Sequence, residues 1–217
     1  MRIFESLLWT QAEGYFLLPF HLERMESSAA ALSYAFSRSA AVKTLDGLHN
    51  ELDSLSQFIG GSRKVRLFLE KDGTLSTDHE DTALREPKGI LKLAVAADTI
   101  DPDDALIRHK ITGRVLYKNA APVTECDYDD LLFFNVLGEA CETTRANIAV
   151  KIDGTWYTPP VSCGLLPGTF RRYLLKNGEL TERVLLRGDI LAASEIALLN
   201  SVRKWMPARL VTTSGLA

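Results

Sequence analysis

Residues 135–172 read NVLGEACETTRANIAVKIDGTWYTPPVSCGLLPGTFRR. Within them, 147–152 is β-branched and small apolar, Asp153-Gly154 is a two-residue turn signal, and 156–158 returns as a strand. Pro159 and Pro160 stop that strand, because neither can donate to a ladder. Gly164-Leu165-Leu166-Pro167-Gly168 then opens a helical run over 169–176, closed by Asn177-Gly178. A glycine-bearing loop feeding a helix suits an anion, since the first backbone N–H groups lack helical partners and the helix dipole favours negative charge. Glu142 stands just upstream, among Thr143, Thr144 and Asn147. A carboxylate in a buried hairpin needs a partner. Composition alone makes Glu142 a surface residue at a strand entry.

Working outward, 217 residues suffice for one large or two small domains. A 46% hydrophobic and 24% charged composition is that of a globular protein. A net charge of −3 and a pI near 5.8 give no support to nucleic-acid or anionic-membrane binding, which needs a clustered basic surface. No apolar run approaches membrane-spanning length. MRIFESLLW lacks the apolar region and cleavage site of a signal peptide, so a cytoplasmic location is expected. Cys126, Cys141 and Cys163 are odd in number and form no C-x-x-C pair, which argues against a disulfide framework or a zinc site.

From the N-terminus, 3–9 and 15–18 read as a hairpin turning at Gly14 and closed by Pro19. Leu22, Met25, Ala29, Leu32 and Phe36 recur at helical spacing and predict a helix over 21–36. A second helix is expected over 44–59, ended by Gly60-Gly61. Residues 64–69 and 74–76 form a second hairpin about Asp72-Gly73. The polar stretch 78–88, broken by Pro87, is read as a linker that divides the chain into lobes 1–82 and 86–217. Strands follow at 90–96, 131–135, 195–199 and 210–212, with a turn at Asn200-Ser201. Arg24, Lys110, His49 and His79 are, on residue type alone, solvated or simply packed.

Several motifs point further. The pattern E-T-T-x-A-N, a D-G hairpin, Y-T-P-P and C-G-L-L-P-G-x-x-R resembles the fold-type-IV pyridoxal-phosphate enzymes, the class IV aminotransferases and 4-amino-4-deoxychorismate lyases. His21-Leu22-Glu23-Arg24-Met25 is similar to the family's H-x-x-R-[LM], His109-Lys110-Ile111-Thr112-Gly113-Arg114 to its H-K-x-T-x-R, and Phe4-Glu5-Ser6-Leu7 to its F-E-[ST]-L. The resemblance implies a two-lobe, mixed α+β and α/β fold of the D-amino-acid-aminotransferase type. Its small N-terminal α+β lobe precedes a larger, β-rich C-terminal pseudobarrel lobe carrying the cofactor lysine. It implies pyridoxal 5'-phosphate bound covalently to Lys110, with Glu142 on the ring nitrogen. Arg24, Ser201 and the backbone amides of Thr169 and Phe170 would hold the phosphate. No metal is expected. A guanidinium suits that phosphate better than an ammonium, because it binds oxygens in pairs.

The sequence departs from the family at three places. It begins at the F-E-S-L segment, so a trimmed small lobe is expected. Leu8 stands where many relatives carry an arginine, and the tyrosine found five positions after the lysine in some aminotransferases is Val115 here, with Tyr117 two further on. The activity implied first is a lyase forming 4-aminobenzoate and pyruvate for folate biosynthesis, because C-G-L-L-P-G-T-F-R and N-S-V-R-x-W are most similar to lyase modules. The alternative is an aminotransferase for branched-chain or D-amino acids, and a third reading is a non-catalytic relative. The family also implies a homodimer acting on a small molecule.

Overall fold

The computed structural model describes residues 1–59, 61–82 and 89–211, and the side chains of 55–59, 115 and 116 are left aside. The chain divides into two compact units, Met1–Glu86 with His109–Gly113, and Pro87–Arg108 with Arg114–Ala217.

In the first unit, β1 (Ile3–Thr10) lies between β2 (Gly14–Tyr15) and β3 (Ser62–Leu69), and β4 (Leu75–Asp81) pairs with β3, all antiparallel. Strand β1 alternates strictly: Ile3, Glu5, Leu7 and Trp9 are buried and the residues between them half-buried, as a strand with one core face requires. Helices α1 (Leu18–Leu32) and α2 (Arg38–Ile59) supply Leu22, Met25, Leu45 and Leu52 to the same core. Pro19 therefore opens α1 rather than closing the hairpin, since a proline is harmless in the first turn, where its missing N–H has no helical acceptor. Helix α1 stops before Phe36 because Ser33 turns left-handed (φ 58) and its N–H bonds back to Ala30. The stretch expected as a linker is strand β4 as far as Asp81, paired residue for residue with β3, and its remainder from 83 to 88 lies outside the described residues. Helix α2 begins six positions before the expected start, at Arg38.

The second unit is a closed ring of strands. In order around it run β8 (Asn147–Ile152), β11 (Glu195–Asn200), β12 (Lys204–Leu210), β5 (Leu91–Val95), β6 (Asp130–Phe134) and β7 (Ala140–Thr143), and β7 pairs back onto β8. Beyond β8 lie β9 (Thr155–Thr158) and β10 (Thr181–Glu182). Leu93, Leu132, Ile148, Val150, Leu198 and Met206 form one cluster, whereas Ala94, Leu131 and Phe133 join a second with Ile100, Cys141 and Leu165. Neighbouring residues of one strand thus go to opposite cores, which is why 131–133 is apolar at every position. Among the described residues the unit also holds the α-helices α3 (Val115–Asn119), α4 (Thr169–Lys176) and α5 (Arg187–Ala192). The segment holding Lys110, expected with the larger lobe, packs with the first unit. Its backbone runs beside β1, with Ile111 bridging Ile3, the Phe4 N–H donating to the Lys110 carbonyl at 2.9 Å and the Thr112 N–H to Arg2 at 2.8 Å. Among the described residues no helix is long and apolar enough to cross a membrane.

Candidate active site

In the first unit, Glu5 is a carboxylate on the core face of β1, 1% exposed. Two residues of α1 meet it. His21 and Arg24 stand three positions apart and so share a helix face. The Arg24 guanidinium grips Glu5 with both arms, Nε to Oε1 at 2.9 Å and Nη2 to Oε2 at 2.6 Å, while His21 Nδ1 lies 2.6 Å from Oε2. Burial raises the Glu5 pKa, but the Arg24 charge and the His21 hydrogen bond outweigh it and bring the value down to about 2. Burial also pushes His21 below the usual histidine range, against the pull of Glu5 and with the help of Arg24 and Lys110. The charges of Arg24 and Lys110 both bear on the buried His21 imidazole, and that of Arg24 on Glu5 as well. Lys110 Nζ stands 4.7 Å from the centroid of the Phe4 ring, and the preceding His109 meets Ser28 of α1 at 2.9 Å. Neither Arg24 nor Lys110 is a solvated charge: the Arg24 side chain is 9% exposed and Lys110 is half-buried.

In the second unit, the sequence between β7 and β8 is short enough to fold back on itself. Thr143 and Ala146 close the turn, the Thr143 N–H donating to the Ala146 carbonyl at 2.8 Å, and this sets Glu142 directly opposite Asn147. Glu142 is buried, not the surface residue that composition suggests. Its Oε1 accepts from the Tyr117 hydroxyl at 2.7 Å and from Arg114 Nη2 at 3.1 Å. Its Oε2 accepts from the Leu166 N–H at 3.1 Å and from Asn147 Nδ2 at 3.4 Å. Burial pushes the Glu142 pKa up, and the Arg114 charge, the Tyr117 hydroxyl and the Leu166 N–H oppose that rise. Tyr117 is a neutral donor, its own pKa raised by burial and by Glu142.

The loop before α4 is tied to the same acid. Asn147 Nδ2 donates to the Leu166 carbonyl at 2.9 Å, so one amide touches both Glu142 and the loop. Gly168 caps α4, and a Cβ there would lie 2.0 Å from Asn147 Oδ1. Only glycine admits that approach. Thr169 and Phe170 are the first two helical residues, both buried, and Ser201 is buried in the turn after β11, where Asn200 Oδ1 accepts from the N–H groups of Val202 and Arg203. Of the residues singled out from the sequence, Arg24 and Lys110 lie in the first unit and Glu142, Thr169, Phe170 and Ser201 in the second. Sequence reasoning missed Glu5, His21, Arg114 and Asn147 as partners, although all four stand inside motifs read for their neighbours. Tyr117, noted in the sequence only for its place seven positions after Lys110, donates its hydroxyl to Glu142.

Each unit by itself holds groups of a kind that pyridoxal phosphate uses: the first an amine and a guanidinium, the second a buried carboxylate and a helix N-terminus.

The family described as amino-transferase class IV matches residues 2–211. A Schizosaccharomyces pombe protein provisionally named aminodeoxychorismate lyase is 32% identical over 210 residues, 94% of this chain and 87% of its own length. Among solved structures, a Mesorhizobium loti protein provisionally named an amino-acid aminotransferase is 29% identical with a TM-score of 0.83, over 97% of this chain and 99% of that one. The 4-amino-4-deoxychorismate lyase of Pseudomonas aeruginosa, at 19% identity and a TM-score of 0.77 over 96% and 82% of the two chains, shares the fold.

Proposed function

The chain belongs to the amino-transferase class IV family, and from that membership we propose that it holds pyridoxal 5'-phosphate and cleaves 4-amino-4-deoxychorismate to 4-aminobenzoate and pyruvate. The observation that carries the choice of reaction is the 32% identity, along almost the whole chain, to a relative named for that lyase activity. Pyridoxal phosphate, when bound, supplies an aldehyde for an amine to join and a ring that takes up an electron pair. Lys110 provides the first amine. Lys110 Nζ would also be the base that takes the proton from the amine-bearing carbon of the substrate. Glu142 holds the proton on the ring nitrogen. Arg24, Ser201 and the N–H groups of Thr169 and Phe170 hold the phosphate. With that proton lost, cleavage of the ring C–O bond would release the enolpyruvyl group, which becomes pyruvate by taking a proton at its methylene carbon, and would leave the ring aromatic with no second substrate consumed. The product would serve folate biosynthesis.

One observation favours a second reading, an aminotransferase: the solved structure at 29% identity bears that name. The same residues would serve it, with a keto acid required to complete each cycle. We also take the protein to be a cytoplasmic homodimer, a reading supported by the family resemblance and by a composition without basic or membrane-spanning character. Purified protein should show the visible absorbance of lysine-bound cofactor, and borohydride should fix the label on Lys110. Lys110→Ala should lose both. A label on another lysine, or a band that survives the substitution, would refute the assignment.

A further inference from the structure

The Glu142 carboxylate is engaged by two side chains to which the chemistry above gives no task. Arg114 and Tyr117 both reach Oε1, from positions four and seven residues beyond Lys110 in the sequence. They also brace each other. The Arg114 guanidinium lies 4.3 Å over the Tyr117 ring, and its Nη2 is 3.2 Å from the Tyr117 hydroxyl and 2.8 Å from the Ile107 carbonyl. The other edge of Tyr117 meets Phe133 at 5.0 Å and 73°. A side chain so packed has one place for its hydroxyl.

Charge explains why such a pair is needed. An acid buried to 3% exposure favours its neutral form unless a cation stands beside it, and a neutral carboxyl cannot hold a ring-nitrogen proton as an ion pair. The other titratable groups near Glu142 do not supply that contact. Arg171 of α4 feels the charge of Glu142, but its Nη2 is spent on Glu182 at 2.5 Å and on the Pro159 carbonyl at 2.7 Å. Cys141, the neighbour on β7, is held neutral by burial. Arg114 is the cation hydrogen-bonded to Glu142 among the described residues.

We propose that Arg114 and Tyr117 are positioning residues for Glu142, Arg114 by keeping a fixed cation on Oε1 and Tyr117 by fixing the direction of the carboxylate, so that the acid meets the cofactor ring as an oriented anion. The inference rests on the proposed cofactor reading. It is tested on wild-type holoenzyme, Arg114→Met, Arg114→Lys and Tyr117→Phe, by measuring the pyridoxal-phosphate dissociation constant and the pH midpoint of the cofactor's visible band. Arg114→Met should weaken cofactor binding by about tenfold or more, the scale of one lost charge-assisted bond. It should also move the midpoint upward by about one unit, since a nearby cation that disfavours protonation is gone. Arg114→Lys should recover most of both effects, and Tyr117→Phe should shift the dissociation constant by less than about threefold while slowing turnover. If Arg114→Met does not fold, Arg114→Gln, a neutral donor, is expected to show the same shifts. A neutral variant with the wild-type midpoint and dissociation constant, or a lysine variant no better than the neutral one, overturns the proposal while a labelled Lys110 leaves the cofactor reading standing. A wild type that takes up no cofactor overturns both.

Discussion

A carboxylate on the core face of a strand, as Glu5 is on β1, is tolerable only while it stays ionised against Arg24 and His21. The folded pKa, about 2, is below the ordinary 4.5, so the folded state binds this proton less readily than the unfolded chain. The resulting stability is fully present above about pH 4.5 and is lost as the pH falls from there toward 2. His21 acts in the same sense: its pKa is depressed by burial, so the unfolded chain takes up the proton first as the pH drops through 6.5. Thermal denaturation followed from pH 7 down to pH 3 should therefore show a steep loss in the wild type. Glu5→Gln should cost about 3–5 kcal/mol at pH 7, as breaking one side of a buried ion pair does, and should flatten the acid limb. Parallel curves for the two proteins would contradict this account of Glu5. Arg24, Lys110 and Glu142 could be picked out from motifs, because each motif is contiguous. Their partners could not, since Tyr117 reaches Glu142 across 25 positions and Arg24 reaches Glu5 across 19.

Among the elements, β8 and α4 coincide with the expected bounds 147–152 and 169–176. Both are bounded by local turn chemistry, Asp153-Gly154 with φ of 49 and 80 and Gly178 with φ 73, and such signals need no tertiary context. Strand β7 escaped notice: four residues carry too little pattern, and its bounds come from pairing with β6 and β8. The loop between β9 and α4 is where element and site meet. Gly168 has an ordinary φ of −61 and ψ of 136, so backbone strain is not its reason for being glycine. Space is. Gly168→Ala must displace Asn147 Oδ1, whose amide is held by Leu166 and Glu142, and it should lower stability by about 1–3 kcal/mol, the usual cost of overpacking. Adding Asn147→Ala should then cost less than it does alone, because the clash goes with it. Additive losses in melting experiments would show that the two residues do not compete for that space.

For the molecule as a whole, the sequence carried the α+β character and the barrel only through family resemblance. Hairpins are local, but the ring β8, β11, β12, β5, β6, β7 closes through two parallel pairings between distant segments, β12 with β5 and β5 with β6. Hydrophobic pattern does not encode which distant strands meet. The Lys110 segment shows the same limit, since its packing with the first unit depends on the pairing of Ile111 with Ile3 of β1, 108 positions away. The reaction is likewise not legible in single residues, because the residues proposed for it would serve lyase and aminotransferase alike. The two differ in their need for a co-substrate. Supplied with 4-amino-4-deoxychorismate and no keto acid, the protein should release 4-aminobenzoate and pyruvate in equal amounts over many turnovers, since aromatisation would drive the cleavage and the proposed reaction consumes no second substrate. No 4-aminobenzoate, with glutamate formed instead from an amino acid and 2-oxoglutarate, would contradict the lyase and leave the aminotransferase in its place.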